Sequence, residues 1–562
     1  MYKAASRLAV AAALGCALAV AAAGSAEAGR FTPLKHHPSL SAPQVSTLPP
    51  TRLIANAAAG LRKSYGGVPT DVTLYHYDNY RTGWNPTETD LTPASVASAN
   101  FGLLTTLSVD GTVYAQPLLL SGFVMPDGTT HDVLIIATEH NSVYAFDAQS
   151  YNVLWHVNLG PSESSADIGC SDIIPEYGIT STPALVRSGV NAATLYVVAA
   201  TEPSSGTFAA QLHALDIGTG QDVKPPTVIA ASAQIADGST LSFDPRNQYS
   251  RAGLAYNNGS IYIGIGSHCD NVINNITGWL LRYNTNLKLK AAFHTIETPS
   301  TGLELAGIWM SGFAPAIDPS GRVYVVTGNG DFAGHGGHDW GESVLRLPPN
   351  LGKVNGRFTD SNYQALNDTD GDFGSGGVML IPPVAGQTGP NLATALGKSG
   401  TLFLLNADSL GGLKPNDGGA LQTLQLSGLW GGPAYANASN GPTLYVQTYY
   451  DNLRAYSVAT GANPGLTPTN VGTSSAGPGG SIPIVSSNAA TPGTAIVWVI
   501  RRSMPLELEA YDATTLGAPI FAANVGTWNK SNWINAFLTA MEANGRVYVP
   551  GIQTVSVFGL TP

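Results

Sequence analysis

Charge is scarce in this chain. Only 11% of its 562 residues are Asp, Glu, Lys or Arg, and the formal net charge is −11. Nucleic acid and anionic membrane surfaces are held by basic patches, so an acidic, charge-poor chain argues against both as partners. Cysteine is scarcer still, at three residues. No Cys-x-x-Cys-His occurs, so no haem is attached to the chain, and an electron acceptor, if one is needed, is a separate molecule. Long apolar runs are confined to the N-terminus. Lys3 and Arg7 precede a small, apolar stretch from Leu8 to Ala23, and Ala26-Glu27-Ala28 offers a cleavage site. Residues 1–28 therefore read as a signal peptide that exports the chain to the periplasm or beyond, without membrane insertion.

Residues 29–70 are rich in Pro, Ser and Ala and read as a tether, with one short helix at Thr51–Lys63. Residues 71–562 are different. One apolar strand recurs eight times, at Val143–Asp147, Leu212–Asp216, Leu280–Asn284, Val344–Pro348, Leu402–Asn406, Leu453–Ser457, Leu508–Asp512 and Val555–Gly559. Such a return at one small sheet per interval predicts an all-β, eight-bladed β-propeller of four-stranded antiparallel blades. Seven blades is the alternative, should the Val344 or Val555 copy be incomplete. Before most copies lies a second strand apolar at both alternating sets of positions, as in Val133–Ala137 and Val323–Thr327, which requires cover on both faces. A strand from Phe101 to Leu107 is expected to close the last blade.

Strands that alternate in direction collect the polar loops on one rim. One group there comprises Glu139, His140, Glu202, His268, Cys269, Asp270, Asn329, Asp331, Lys398, Tyr450, Asp451, Arg501 and Arg502. A second comprises Gln116, Cys170, Thr180, Thr182, Arg251, Trp309, Asp372 and Trp430. Charge gathered on one rim of a charge-poor chain marks the functional face. Cys170 and Cys269 are a candidate disulfide in an oxidising compartment, with free thiols as the alternative.

The run from Val143 through Asp147 to Trp155 resembles the repeat of the quinoprotein alcohol dehydrogenase superfamily, and the resemblance extends over roughly residues 75–560. It implies pyrroloquinoline quinone and calcium on the axis. Val323–Asn329 is similar to the family strand whose Asn ligates calcium, and Asp372 falls where the family has its catalytic base. Lys398 sits where a cation lies beside the quinone oxygens, and Trp309 where a ring stacks on the cofactor. Gln116, Cys170, Thr182, Arg251, Trp309 and Trp430 are thus candidate cofactor-binding residues, and Asn329, Asp372 and Asp270 candidate metal ligands. A carboxylate beside calcium suits removal of an alcohol proton as hydride leaves. One cysteine stands where the family has two, which implies that the stacking disulfide is missing. The calcium-ligating Glu is replaced by His268-Cys269-Asp270.

Other readings stay open. Asp368–Asp372 has the alternating carboxylates of a structural calcium loop. His335-Gly-Gly-His338-Asp339 could bind a metal, Glu139-His140 reads as a solvated turn, and Trp309, Trp430 and Trp498 as packing or a platform for a sugar. Three functions follow: a quinoprotein-type dehydrogenase acting on an alcohol or sugar, a non-catalytic propeller binding a glycan or protein, and a polysaccharide hydrolase or lyase using Asp372, His268 and Asp270.

Overall fold

Strands apolar on both faces have to be stacked between neighbouring sheets, and the chain does this by closing a ring. A computed structural model describes residues 70–236, 238–269, 276–297, 306–333, 337–528 and 537–561. The signal peptide and the tether, apart from Thr70, lie outside the described residues. The eight blades have their innermost strands at Leu118–Val124, Ala184–Arg187, Ala255–Asn257, Ala316–Ile317, Val378–Ile381, Ala434–Ala438, Ile484–Ser486 and Met541–Ala543. Every copy of the repeated motif is the third strand of its blade, the Val344 and Val555 copies included, so the seven-bladed alternative falls. The eighth blade takes its outer strand from the other end of the chain. Phe101–Thr112, longer than expected, pairs antiparallel with Ile552–Leu560.

Blades are pinned to one another by the tyrosine of the second strand. Tyr262 donates to the Pro349 carbonyl (2.9 Å), Tyr324 to Ala407 (3.1 Å) and Tyr445 to Ala513 (2.9 Å), each in the following blade. A buried phenol needs such an acceptor, and the ring itself fills the space between sheets. Trp155 does the same from an outer strand. Its indole donates to Ile217 (2.7 Å), and a Cβ on Gly220 would stand only 2.6 Å from the ring.

The axis is occupied by a segment that carries no repeat. Val72 exchanges two backbone hydrogen bonds with Leu119 of the first blade, and Thr73 accepts from Leu185 of the second. Asn79 reaches Tyr256 of the third with its side chain and Ile317 of the fourth with its carbonyl. Tyr80, Thr82 and Gly83 accept from Leu380, Tyr435 and Val485 of the next three, and Asn85 donates to Glu542 of the eighth. Arg81 is fully buried at its centre. Its guanidinium donates twice to Pro315 and once each to Tyr75 and Asp78. Burial lowers its pKa to about 10. His76, flanked by Tyr75 and Phe313, is likewise held neutral by burial, its pKa lowered to about 3.

Removing this guanidinium strands several buried carbonyls at once, each worth about 1–3 kcal/mol. Arg81→Met is therefore expected to lower stability by at least about 3 kcal/mol in urea unfolding, with Arg81→Lys recovering only part of it.

Candidate functional site

Two adjacent loops of the fourth and fifth blades build the most polar part of the axis. The turn after Val323–Val326 carries Asn329. The short helix Tyr363–Thr369 ends at Asp370, whose left-handed conformation turns the chain toward Asp372. Asn367 of that helix clamps the turn by accepting from the Gly330 N–H and donating to its carbonyl (2.9 Å each). Asn329 donates to Asp370 (3.0 Å), and its own Oδ1 is buried with no hydrogen bond.

Lys398 joins these loops from the next hairpin. Its Nζ lies 2.6 Å from Asp370 Oδ1 and 3.5 Å from Asp372 Oδ2, and 5.6 Å from the centre of the Trp309 ring. Asp372 is 1% exposed. The chain can approach it this closely only at glycine, since a Cβ on Gly328 would stand 2.3 Å from its Oδ1 and 3.0 Å from Trp309 Nε1. Glu342, which no motif singles out, stands beside it. Its Oε2 accepts from the Phe373 N–H (2.6 Å) and its Oε1 is buried without a partner. Burial, reinforced by the charge of Asp372, drives the Glu342 pKa well above the carboxylate range, so it keeps its proton. Asp368 is exposed at the helix end, while Asp370 and Asp372 both face the Lys398 ammonium.

Below this group, the guanidinium of Arg251 lies 4.9 Å from the Trp309 ring centre and 4.2 Å from that of Phe537. Its Nη1 is 3.8 Å from Asp172, and its buried Nε and Nη2 have no hydrogen bond. Arg502 faces Phe537 from another blade and donates to Gly479 and Trp430; burial lowers its pKa to about 9. Arg501 pairs with Glu507 and Glu509, and Arg502 is 1% exposed.

Cys170 and Cys269 are bonded, across a separation of 99 residues and a Cα–Cα distance of 5.6 Å. Cys170 belongs to the same buried cluster as Trp309 and Phe537. The candidate pairing of Cys170 with Cys269 is thus formed, between cysteines distant in sequence and not adjacent. Next to it, His268 stacks on Tyr249 (4.1 Å between centroids) and meets the edge of Tyr177. Its Nε2 is 3.6 Å from Glu163, and neither side chain has another polar partner. Glu139 is no solvated turn. It is buried, and its Oε2 accepts from the Gly178 N–H and Thr180. The exposed His140 pairs with Glu176 instead.

Gln116 and Thr182 do not join the polar group. Gln116 accepts from the His76 N–H, and Thr182 accepts from the Gln116 N–H, so both side chains serve the axial segment. Trp498 is fully buried and donates to Ser486, which makes it packing. Asp270 and His335 lie outside the described residues; His338 is exposed, 3.7 Å from Glu297, and Asp339 accepts from the Glu297 N–H. Asp372 lies beside Lys398 and His268 beside Glu163, while Asp270, the third member of the hydrolase grouping, is outside the described residues.

Two outcomes follow. Glu139 and Glu163 have pKa values raised by burial from 4.5 to about 8 and about 9. The folded state then holds more protons than the unfolded one across that interval, and stability falls as pH rises through it. His268 and His76, lowered from 6.5 to about 3, act in the opposite sense, but only below pH 6.5. The melting temperature is expected to fall from pH 7 to 9, and Glu139→Gln with Glu163→Gln to flatten that slope. For the disulfide, Cys170→Ser with Cys269→Ser is expected to cost about 2–4 kcal/mol. The double variant should melt like the reduced parent and show no further response to dithiothreitol.

No family model matches the sequence, and no curated protein matches it. Solved structures do. A quinohemoprotein alcohol dehydrogenase from Comamonas testosteroni superposes with a TM-score of 0.55 at 15% identity, over 87% of this chain and 80% of that one. A europium-containing methanol dehydrogenase gives 0.56 at 13% identity, over 88% of this chain and 98% of that one. A quinohemoprotein alcohol dehydrogenase from Pseudomonas putida HK5 gives 0.53 at 12%, over 87% and 80%. By fold, then, the chain is an eight-bladed β-propeller similar to those of these dehydrogenases.

Proposed function

We propose that the chain is an exported dehydrogenase that oxidises an alcohol or a sugar with pyrroloquinoline quinone and calcium on the propeller axis. The observation that carries this reading is the convergence of Asp372, Lys398 and Asn329 beside Trp309. The residues fit both groups. Asn329 Oδ1 is a buried oxygen without a partner, and with Asp370 and Asp372 it offers the hard-oxygen donors that calcium takes. The free Nε and Nη2 of Arg251 and the ammonium of Lys398 suit the oxygens of an anionic quinone. The disulfide accords with an oxidising compartment, and no helix among the described residues is long and apolar enough to cross a membrane.

When bound, the quinone would supply the hydride acceptor. The chain's own residues do the rest. Asp372 takes the hydroxyl proton of the substrate. Lys398 is fixed by Asp370 where it can stabilise negative charge developing on oxygen. Glu342, by holding its proton, spares Asp372 a second buried negative charge.

A second reading, a propeller that binds without chemistry, draws support from Arg251 and Phe537, which pack closely against Trp309 and against each other. One experiment separates the two. Residues 29–562 are titrated with the quinone, with and without calcium, while melting and quinone absorbance are followed. The dehydrogenase reading expects a calcium-dependent rise in melting temperature that Lys398→Ala weakens. Asp372→Asn should retain the quinone and lose about 10²–10⁴-fold in dye-coupled turnover. No shift in melting at a large excess of cofactor and calcium would overturn it.

A further inference from the structure

The polar rim carries a group of aromatic rings that the axial site does not use. Tyr449 and Tyr450 are consecutive in the turn between Gly441–Val446 and Asn452–Ala459, and are 37% and 55% exposed. Their rings meet edge to face at 4.6 Å, and Tyr449 lies 6.1 Å from the ring of Trp430. Little here is explained by packing. Tyr450 has a φ of +48°, a conformation in which Gly or Asn is at ease and a bulky side chain costs about 1–2 kcal/mol. Strain held at an exposed aromatic points toward function rather than stability.

The turn is fixed in place. The N–H of Tyr449 donates to Gly428 (2.8 Å), that of Tyr450 to Gly477 (3.3 Å), and that of Asp451 to Thr448 (3.0 Å). The rings are thus presented on a rigid base, which lowers the entropy lost when a ligand docks. A cleft of about 410 Å³, which none of the three rings lines, begins at the next residue, Asp451, and is bounded by Gln425, Ser427, Arg454 and Tyr456. Arg454 and Asp451 form a two-pronged pair there, at 2.7 and 2.9 Å, with both side chains partly exposed.

We infer that this shelf and cleft bind a saccharide, with a pyranose ring laid on the aromatic faces and its hydroxyls turned toward the Asp451–Arg454 pair. Three features select that chemistry. Exposed Tyr rings, backed by the half-buried Trp430, match the C–H face of a sugar, with a polar edge left in water. The carboxylate and guanidinium cancel in charge, so the cleft suits a neutral polyhydroxyl ligand better than an anion or a cation. A purely aromatic ligand would cover the rings and leave the polar side of the cleft without partners. The shelf is also continuous with the axis. A Cβ on Gly428 would stand 2.3 Å from the Lys398 carbonyl, and the Trp430 carbonyl accepts from Arg502. The inference rests on the shelf itself and not on the dehydrogenase reading.

The test uses residues 29–562 with no cofactor added, so that its outcome is separate from quinone binding. Saturation-transfer NMR is run with cellohexaose, maltohexaose, laminarihexaose and chitohexaose, and with benzyl alcohol as an aromatic comparison. At least one oligosaccharide is expected to receive saturation, strongest at the ring C–H protons. Tyr449→Ala with Tyr450→Ala should weaken it by about tenfold or more. Tyr450→Asn keeps a residue suited to the positive φ, so it should lose affinity while melting no lower than the parent. Binding of no oligosaccharide, binding of benzyl alcohol alone, or affinity unchanged in both variants would each overturn the assignment.

Discussion

Everything on the axis rests on one extended run from Thr70 to Glu88. Its backbone and side chains reach the innermost strand of each of the eight blades, and Arg81 satisfies the carbonyls that meet at its centre. A ring of sheets leaves a hole where the inner strands end, and inner-strand backbone groups facing that hole have no partners within their own blades. The run supplies those partners. It also fixes where the functional face can lie. Tyr75 bonds Thr539 beneath the level of Arg502 and Phe537, so the axis has a floor and the polar loops surround its open end.

That floor shapes the electrostatics above it. Charges enter the buried axis only in company. Arg251 lies against two aromatic rings and Asp172, Arg502 against two carbonyls and Phe537, and Lys398 against two carboxylates. Carboxyl groups without a cation close by, Glu139, Glu163 and Glu342, keep their protons through burial. The result is an axis with fixed positive charge, one nearly buried aspartate at its mouth, and neutral acids around it. Such a setting favours ligands that bring oxygens of their own.

The blades were readable because their pattern is local. An apolar strand with covered faces and a turn after it recur in every interval, five of the eight second strands add a tyrosine, and each has a packing reason visible in one blade. Asp372, Lys398, Asn329 and Trp309 were found through the resemblance, and the structure brings them together. Glu342 was missed because its meaning comes from Phe373 and Asp372, thirty residues away. Phe537 was missed because its partners come from different blades. Gln116 and Thr182 were placed on the correct side of their strands, but the axial run claims both. That run leaves no mark in the sequence, since it acts through backbone carbonyls that any residue has. Cys170 and Cys269 showed the same limit, because nothing in the spacing could say that two loops would meet.

The pairing of Phe101–Thr112 with Ile552–Leu560 has a consequence in time. The strand that completes the last blade is made first, and the strands it must join are made last. The axial run is in the same position, because it can settle only as each inner strand arrives. For most of its synthesis the chain therefore carries both pieces with no lasting partner, and contacts of such long sequence separation are slow to form. A polypeptide that cannot finish its ring until its final strand emerges stays open throughout translation. An open chain of this kind is what a translocation channel for unfolded proteins accepts.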